Sequence, residues 1–313
     1  APASAQASSA AMSAYCAEGS SRLISCRSST SSGRTLASAA KVTLEDVKRF
    51  YAERWRPDRA TLVVVGDVTR TEVDAMLDQA LPTWKAPKAA LVDPPAPPPA
   101  PTARQGRRVV VVDRPDAPQS VIALARPGVS AFEEESARLV RVNAALGGSF
   151  TSRLNQDLRE EHGWSYGARS AFSFTRMQGV FVAQAAVHTE HTGEALKAMI
   201  SDVEGLAKGG LTDEEVEKTK KLARADLVES FETVQAAARR LGRNAGVGQS
   251  PDHEAKASRL TARADKAALA ESAARHLDLA SAVVVIVGPR AKIEPQLKAI
   301  GVDALEASGP EGL

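Results

Sequence analysis

Cysteine is almost missing from this sequence: Cys16 and Cys26 are its two thiols. Both lie in the leading segment without metal-type company, so they can pair in an oxidising compartment or stay reduced in a reducing one, and they point to no thiolate metal centre. An excess of charge of one sign is missing too. Forty basic against thirty-eight acidic residues leave +2, which gives no ground for a nucleic-acid or anionic-membrane partner. Long hydrophobic runs are absent, and the longest, around Ala282–Val287, is strand-sized, so no membrane span is expected. Residues 1–40 are rich in Ala and Ser and hold neither a sustained hydrophobic period nor the charged and apolar regions of a secretory signal. They are expected to be an irregular or disordered leader. No G-x-G-x-x-G or Walker pattern follows a strand, and Ser149 and Ser152 lack nucleophile-elbow context, which argues against phosphate-cradling and serine-hydrolase chemistry.

What is present is dense periodic patterning after Lys41. Thr43 with Asp46 predicts a capping box, followed by a helix burying Leu44, Val47, Phe50 and Tyr51 and ended by Pro57. Ala60–Val65 then has the make-up of a buried strand, and Thr71–Ala80 of another amphipathic helix. Pro87–Pro101 holds seven of the seventeen prolines, marking an extended linker over 87–104. Beyond it, strands are expected at Arg108–Asp113, Gln119–Ala125, Gly179–His188 and Val283–Val287. Helices are expected at Gly193–Ala207, from Thr212 with its T-x-x-E cap at Glu215, at Phe231–Gly242 and at Ala264–Leu277.

The chain centres on Leu146–Ser173. A helix over Phe132–Leu146 ends at Gly147-Gly148, expected to supply a left-handed φ, and a short helix capped by Ser149 or Thr151 carries Leu154 and Leu158 on one stripe up to Gly163. Ser165–Ser173 alternates as a half-buried strand. Arg159 and Tyr166 therefore flank one corner, where a guanidinium and a phenol can together hold a carbonyl or a developing oxyanion. The same spacing equally allows Arg159 to pair with Asp157, Glu160 or Glu161 on a solvated helix end. Among the other candidates, His188, Glu190 and His191 offer two imidazoles and a carboxylate, yet at neither metallopeptidase spacing. His162 is expected to be a solvated turn residue, and Asn143 can line a cavity.

The stretch G-G-S-F-T-S-R-L-N-Q-D-L-R-E-E-H-G-W-S-Y resembles the signature of the second homologous domain of the insulinase/pitrilysin-like zinc metallopeptidases, the inverzincins. K-V-T-L-E-D-V-K-R-F-Y-A-E-R-W-R-P-D-R-A-T-L-V-V-V-G-D-V resembles the end of that family's first domain. The resemblance implies that Arg159 and Tyr166 are the catalytic contribution, binding peptide opposite the zinc, with Phe150 and Trp164 walling the chamber. It also implies a peptide or unfolded polypeptide substrate, and a zinc that the complete enzyme carries. The inverted motif H-x-x-E-H is not formed by His162, His188, His191, His253 or His276, so zinc and general base are expected from an H-x-x-E-H-containing subunit or domain, either a partner chain or a missing N-terminal part, and no metal ligand is assigned here. The alternative is a non-catalytic structural or peptide-binding homologue. The compartment stays open between bacterial periplasm and cytoplasm, with the exported members of the family favouring the periplasm.

Ala264–Gly288 overlays Val42–Gly66 at a constant offset of 222, helix on helix and strand on strand, which marks a duplicated domain. The expected fold class is α+β: an antiparallel sheet with helices on one side over 105–313, preceded at 41–86 by a truncated copy of a similar domain.

Overall fold

The computed structural model describes residues 39–88, 106–303 and 305–308. The expectations for the leader and for nearly all of the proline tract fall outside those residues. By contact, the described chain forms two compact units, one from residues 42–88 with 228–251, the other from 106–227 with 252–308.

In the larger unit six strands make one sheet: β1 (Arg108–Asp113), β2 (Gln119–Pro127), β3 (Ser165–Ser173), β4 (Val180–His188), β5 (Val283–Gly288) and β6 (Leu305–Ser308). Their order is β3-β4-β2-β5-β1-β6. The sheet is mixed. β2, β3 and β4 pair antiparallel and β5 is antiparallel to β2, but β1 lies parallel to both β5 and β6. Burial alternates along β4 and β5, as expected where helices cover one face, and Ile122, Leu124, Phe181, Ala183, Val187, Val284 and Ile286 point into that core.

α1 (Leu44–Arg54) and α2 (Arg70–Ala80) belong to the smaller unit. The larger one contains α3 (Glu135–Leu146), a short α4 (Arg153–Asn155) that continues as a π-helix over Gln156–Glu161, α5 (Thr192–Gly209), α8 (His253–Arg263), α9 (Lys266–His276) and α10 (Arg290–Ala299). α6 (Asp213–Glu232) starts in the larger unit and ends in the smaller, which also holds α7 (Val234–Val247). The capping boxes form as written: Thr43 with Asp46, and Thr212 N–H to Glu215 at 2.8 Å with Glu215 N–H to Thr212 Oγ1 at 3.1 Å. On α3, Ala137, Leu139, Val142, Ala145 and Leu146 face the core, whereas Val140 is exposed.

Two expectations for the smaller unit fail together. Leu44, Val47, Phe50 and Tyr51 are all exposed, and the segment 60–65 is extended but joins no ladder among the described residues. Sequence composition supplies strand propensity, yet a strand exists only where a neighbour accepts its hydrogen bonds. Arg56 is the one buried residue among 39–88.

Candidate functional site

The corner between α3 and β3 is built by close approach. Gly147 has φ −160°, an extended value open to any residue, so the expected left-handed φ is not what glycine is for here. A Cβ on Gly147 would overlap Ser170 N and come within 2.6 Å of Ser170 Oγ and 2.8 Å of Leu154 Cδ1. Glycine lets the helix end touch the edge of the sheet, where Ser170 N–H donates to Gly147 O at 3.0 Å.

Two asparagines complete that contact. Asn143 donates to Ser170 O at 3.1 Å and accepts from Ser170 Oγ at 2.7 Å, while Asn155 Oδ1 accepts from Ala168 N–H at 2.8 Å. β3 is an edge strand, and these bonds occupy backbone groups that an edge otherwise offers to another chain. Asn143 thus clamps the strand edge, where the sequence suggested a cavity lining. Neither expected cap serves the short helix: Ser152 stands at its N-cap without a capping bond, and Ser149 Oγ donates to Ala144 O at 2.9 Å. What holds α4 is Arg153, whose Nε and Nη2 each lie 2.7 Å from a Glu215 oxygen. Burial pushes the Glu215 carboxyl up, but the hydrogen bonds from Arg153 and Thr212 outweigh it and leave the group below its ordinary value. Leu154 and Leu158 are fully buried, as their stripe predicts.

Arg159 and Tyr166 both sit on backbone irregularities. Arg159 lies in the π-helix, where His162 N–H reaches back five residues to Asp157 O at 3.1 Å. Gly163, with φ +64°, then closes the turn by letting Trp164 N–H return to Leu158 O at 2.9 Å. Tyr166 lies in a β-bulge: Ser165 pairs with Val187 and Ala168 with Ala185, so three steps on β3 oppose two on β4. Ser165 Oγ fills the bulge, donating to Ala186 O at 2.7 Å and accepting from Gly167 N–H at 3.0 Å.

The phenol that results is 81% exposed, with the His188 ring 6.2 Å away. The Arg159 guanidinium lies 4.6 Å over the Phe150 ring, itself exposed, and 3.5 Å from Glu160, so part of the solvated-pair alternative is realised. Trp164 is packed between two imidazoles, His162 at 3.9 Å and His191 at 5.5 Å. Carboxylates hold those imidazoles from outside: Asp157 lies 3.1 Å from His162 and Glu194 lies 2.9 Å from His191. His188 and His191 thus turn to different ring partners, and among the described residues no three His, Cys, Asp or Glu side chains converge on a metal-sized point.

A profile of the peptidase M16 inactive domain matches residues 41–222, more than half the chain. The chain belongs to the peptidase M16 family. An uncharacterised zinc protease of Streptomyces coelicolor is 27% identical over 215 residues, 67% of this chain and 46% of the relative. One of Mycobacterium tuberculosis is 26% identical over 224 residues, 69% and 49%. This M16 chain therefore spans about half the length of the curated relatives it matches. Among solved structures, a protease from Helicobacter pylori superposes with a TM-score of 0.73 at 21% identity, covering 80% of this chain and 60% of the other. The peptidase M16 inactive domain from Pseudomonas fluorescens gives 0.68 at 22%, covering 81% and 60%, and both likenesses establish the fold. No described helix is long and apolar enough to cross a membrane.

Beneath the π-helix of this M16 chain lies a group that its sequence did not announce. Asp202, on α5, has a buried Oδ2 with no hydrogen-bond partner among the described residues. Burial, then the neighbouring Asp157 charge, pushes its carboxyl from the ordinary 3.8 to about 6 against the pull of Arg153. An acid whose folded value is raised holds its proton longer in the folded state. Stability therefore falls as pH rises from about 4 to about 6, and the penalty is complete above that. Asp202→Asn is expected to stabilise the larger unit by roughly 2 kcal/mol at pH 8 and by almost nothing at pH 4. Urea midpoints of both proteins across that range test this, and parallel curves would remove the assignment.

Proposed function

We propose that this chain is the substrate-binding half of an M16 zinc metallopeptidase. The observation that carries the reading is the pairing of two backbone irregularities around Gly163, a π-turn under Arg159 and a bulge under Tyr166, each of which turns a polar side chain outward. In this reading Arg159 donates to a carbonyl of an extended peptide beside the scissile bond, with Phe150 beneath the guanidinium as part of the wall and Trp164 flanking it. Tyr166 donates its hydroxyl proton to the oxyanion of the tetrahedral intermediate, where a neutral phenol supplies a hydrogen bond without needing to ionise. The residues described here do not fit a zinc site, so zinc and the general base belong to a partner subunit or domain that carries H-x-x-E-H.

The test combines the full chain with an H-x-x-E-H-bearing M16 partner and a quenched-fluorescent peptide. Tyr166→Phe is expected to lower kcat by roughly 10²- to 10³-fold with little change in KM, the usual loss for one oxyanion donor. Arg159→Ala is expected to raise KM as well. Peptide binding without hydrolysis in every combination would instead establish the non-catalytic peptide-binding homologue.

A further inference from the structure

The sheet of the larger unit has two faces, and the helices cover one of them. On β4, Phe181, Ala183, Ala185 and Val187 point into the core, so Val182, Gln184, Ala186 and His188 point the other way. The register carries that second face across the neighbouring strands. Gln184 stands between Arg169 on β3 and Ala123 on β2, Val182 stands between Ala171 and Ala125, and Ala186 lies beside Val121. A sheet face turned to water ordinarily alternates to polar side chains. This one keeps Val121, Ala123, Ala125, Ala171, Val182 and Ala186, a shallow apolar floor suited to contact with another chain.

Arg169 is the cation set into that floor. It is exposed and meets no carboxylate among the described residues, whereas Arg108, farther across the sheet, is bound by Glu306. In the amide orientation that satisfies both groups, Gln184 Oε1 accepts from Arg169 Nε at 2.6 Å and from Nη2. A neutral amide fixes the direction of the guanidinium and leaves its charge uncompensated. Tyr166 shares this face, since its ring lies 6.2 Å from that of His188. Three residues separate Tyr166 from Arg169 and the bulge takes up one step, so their backbones are about 7–10 Å apart at about 3.3 Å per residue.

We infer that Arg169 is a specificity-determining residue, which receives the Asp or Glu side chain of an extended peptide lying across β2, β3 and β4. The acid would stand two or three residues from the scissile bond. Asn143, Asn155 and Gly147 already occupy the outer backbone groups of Ala168 and Ser170, so a peptide cannot join β3 as a further strand there. Side-chain contact with the face is what remains for recognition. One fixed, uncompensated cation beside small apolar residues matches a peptide of small apolar side chains with one acid. The offset from the scissile bond rests on the function proposed above; the preference for an acidic peptide does not.

Two measurements test this with one set of alanine-rich peptides carrying a single Glu or Lys at successive positions. In the first, the full chain with its H-x-x-E-H-bearing M16 partner cleaves quenched-fluorescent versions. Glu two or three residues from the cleaved bond, on one side of it, is expected to raise kcat/KM over Lys by roughly three- to tenfold, and added salt should shrink that ratio. Arg169→Gln should bring the ratio to about one and Arg169→Glu should invert it. Because each ratio is taken within one variant, a misfolded fraction cancels, and an inverted preference cannot come from unfolding. In the second, fluorescence anisotropy of the labelled peptides with the full chain alone should show the same order of affinity and the same inversion. Equal binding of Glu and Lys peptides, no binding of either, a preference that survives Arg169→Gln, or one confined to more distant positions would each overturn the inference. Binding that depends on Arg169 without cleavage in any combination would sink the catalytic reading and sustain this one, and cleavage without charge preference would do the reverse.

Discussion

Arg141→Ala is expected to cost the larger unit roughly 4 kcal/mol or more, read as a lower urea midpoint at unchanged slope. Arg141 lies in the middle of α3 and is completely buried. Its guanidinium faces main chain: Nη2 donates to Val216 O at 2.6 Å, and Nη1 donates to Ala264 O at 2.6 Å and Thr261 O at 3.1 Å. Nε reaches Thr219 Oγ1 at 3.4 Å. Burial holds this guanidinium below its ordinary range, with only the more distant Glu217 charge acting the other way. Two of the carbonyls lie at the C-terminal end of α8, where the helix dipole favours a cation. Alanine would remove a donor from three carbonyls, of which Val216 O keeps a bond from Thr219 Oγ1, and would leave a cavity; each acceptor left orphaned costs on the order of 1–3 kcal/mol. Arg141→Lys should recover only part, because one ammonium cannot span carbonyls from two separate segments. A change below about 1 kcal/mol in the alanine variant would show that Arg141 does not tie α3, α6 and α8 together.

Gly147→Ala is expected to be the most damaging single-methyl change in the signature, costing roughly 2–4 kcal/mol. The added carbon collides with the backbone of Ser170, which has no rotamer through which to yield. Relief requires moving the end of α3 away from β3, which breaks the bond from Ser170 N–H to Gly147 O and shifts the corner carrying Arg159 relative to the bulge carrying Tyr166. Gly148→Ala meets the Asn143 side-chain amide at 2.5 Å but no backbone closer than 3.0 Å, so it can be relieved by loosening the Asn143 clamp on Ser170 and its cost should be smaller. Gly163→Ala meets nothing within 4 Å but must hold φ +64°, a strain of about 1 kcal/mol. The order Gly147, Gly148, Gly163 in unfolding midpoints is the expected result, and Gly163 ranking first would mean that backbone strain, not contact, governs the corner.

Much of this was legible in the amino-acid sequence because its causes are local. Capping boxes act over three residues, helical stripes over four, and alternation over two, so Thr43, Thr212, Leu154, Leu158 and the strands near 108, 119, 180 and 283 were found where expected. Arg159 and Tyr166 were singled out by wording and spacing, but why they turn outward was not readable. Tertiary contact alone explains the glycine at 147, the asparagines that close the β3 edge, the bulge under Tyr166 and the upward push on the Asp202 carboxyl, because each depends on atoms brought together from segments far apart in sequence. It also reversed one expectation: α1 and residues 60–65 have core composition, yet burial belongs to neighbours rather than to residues, and the described chain gives them none.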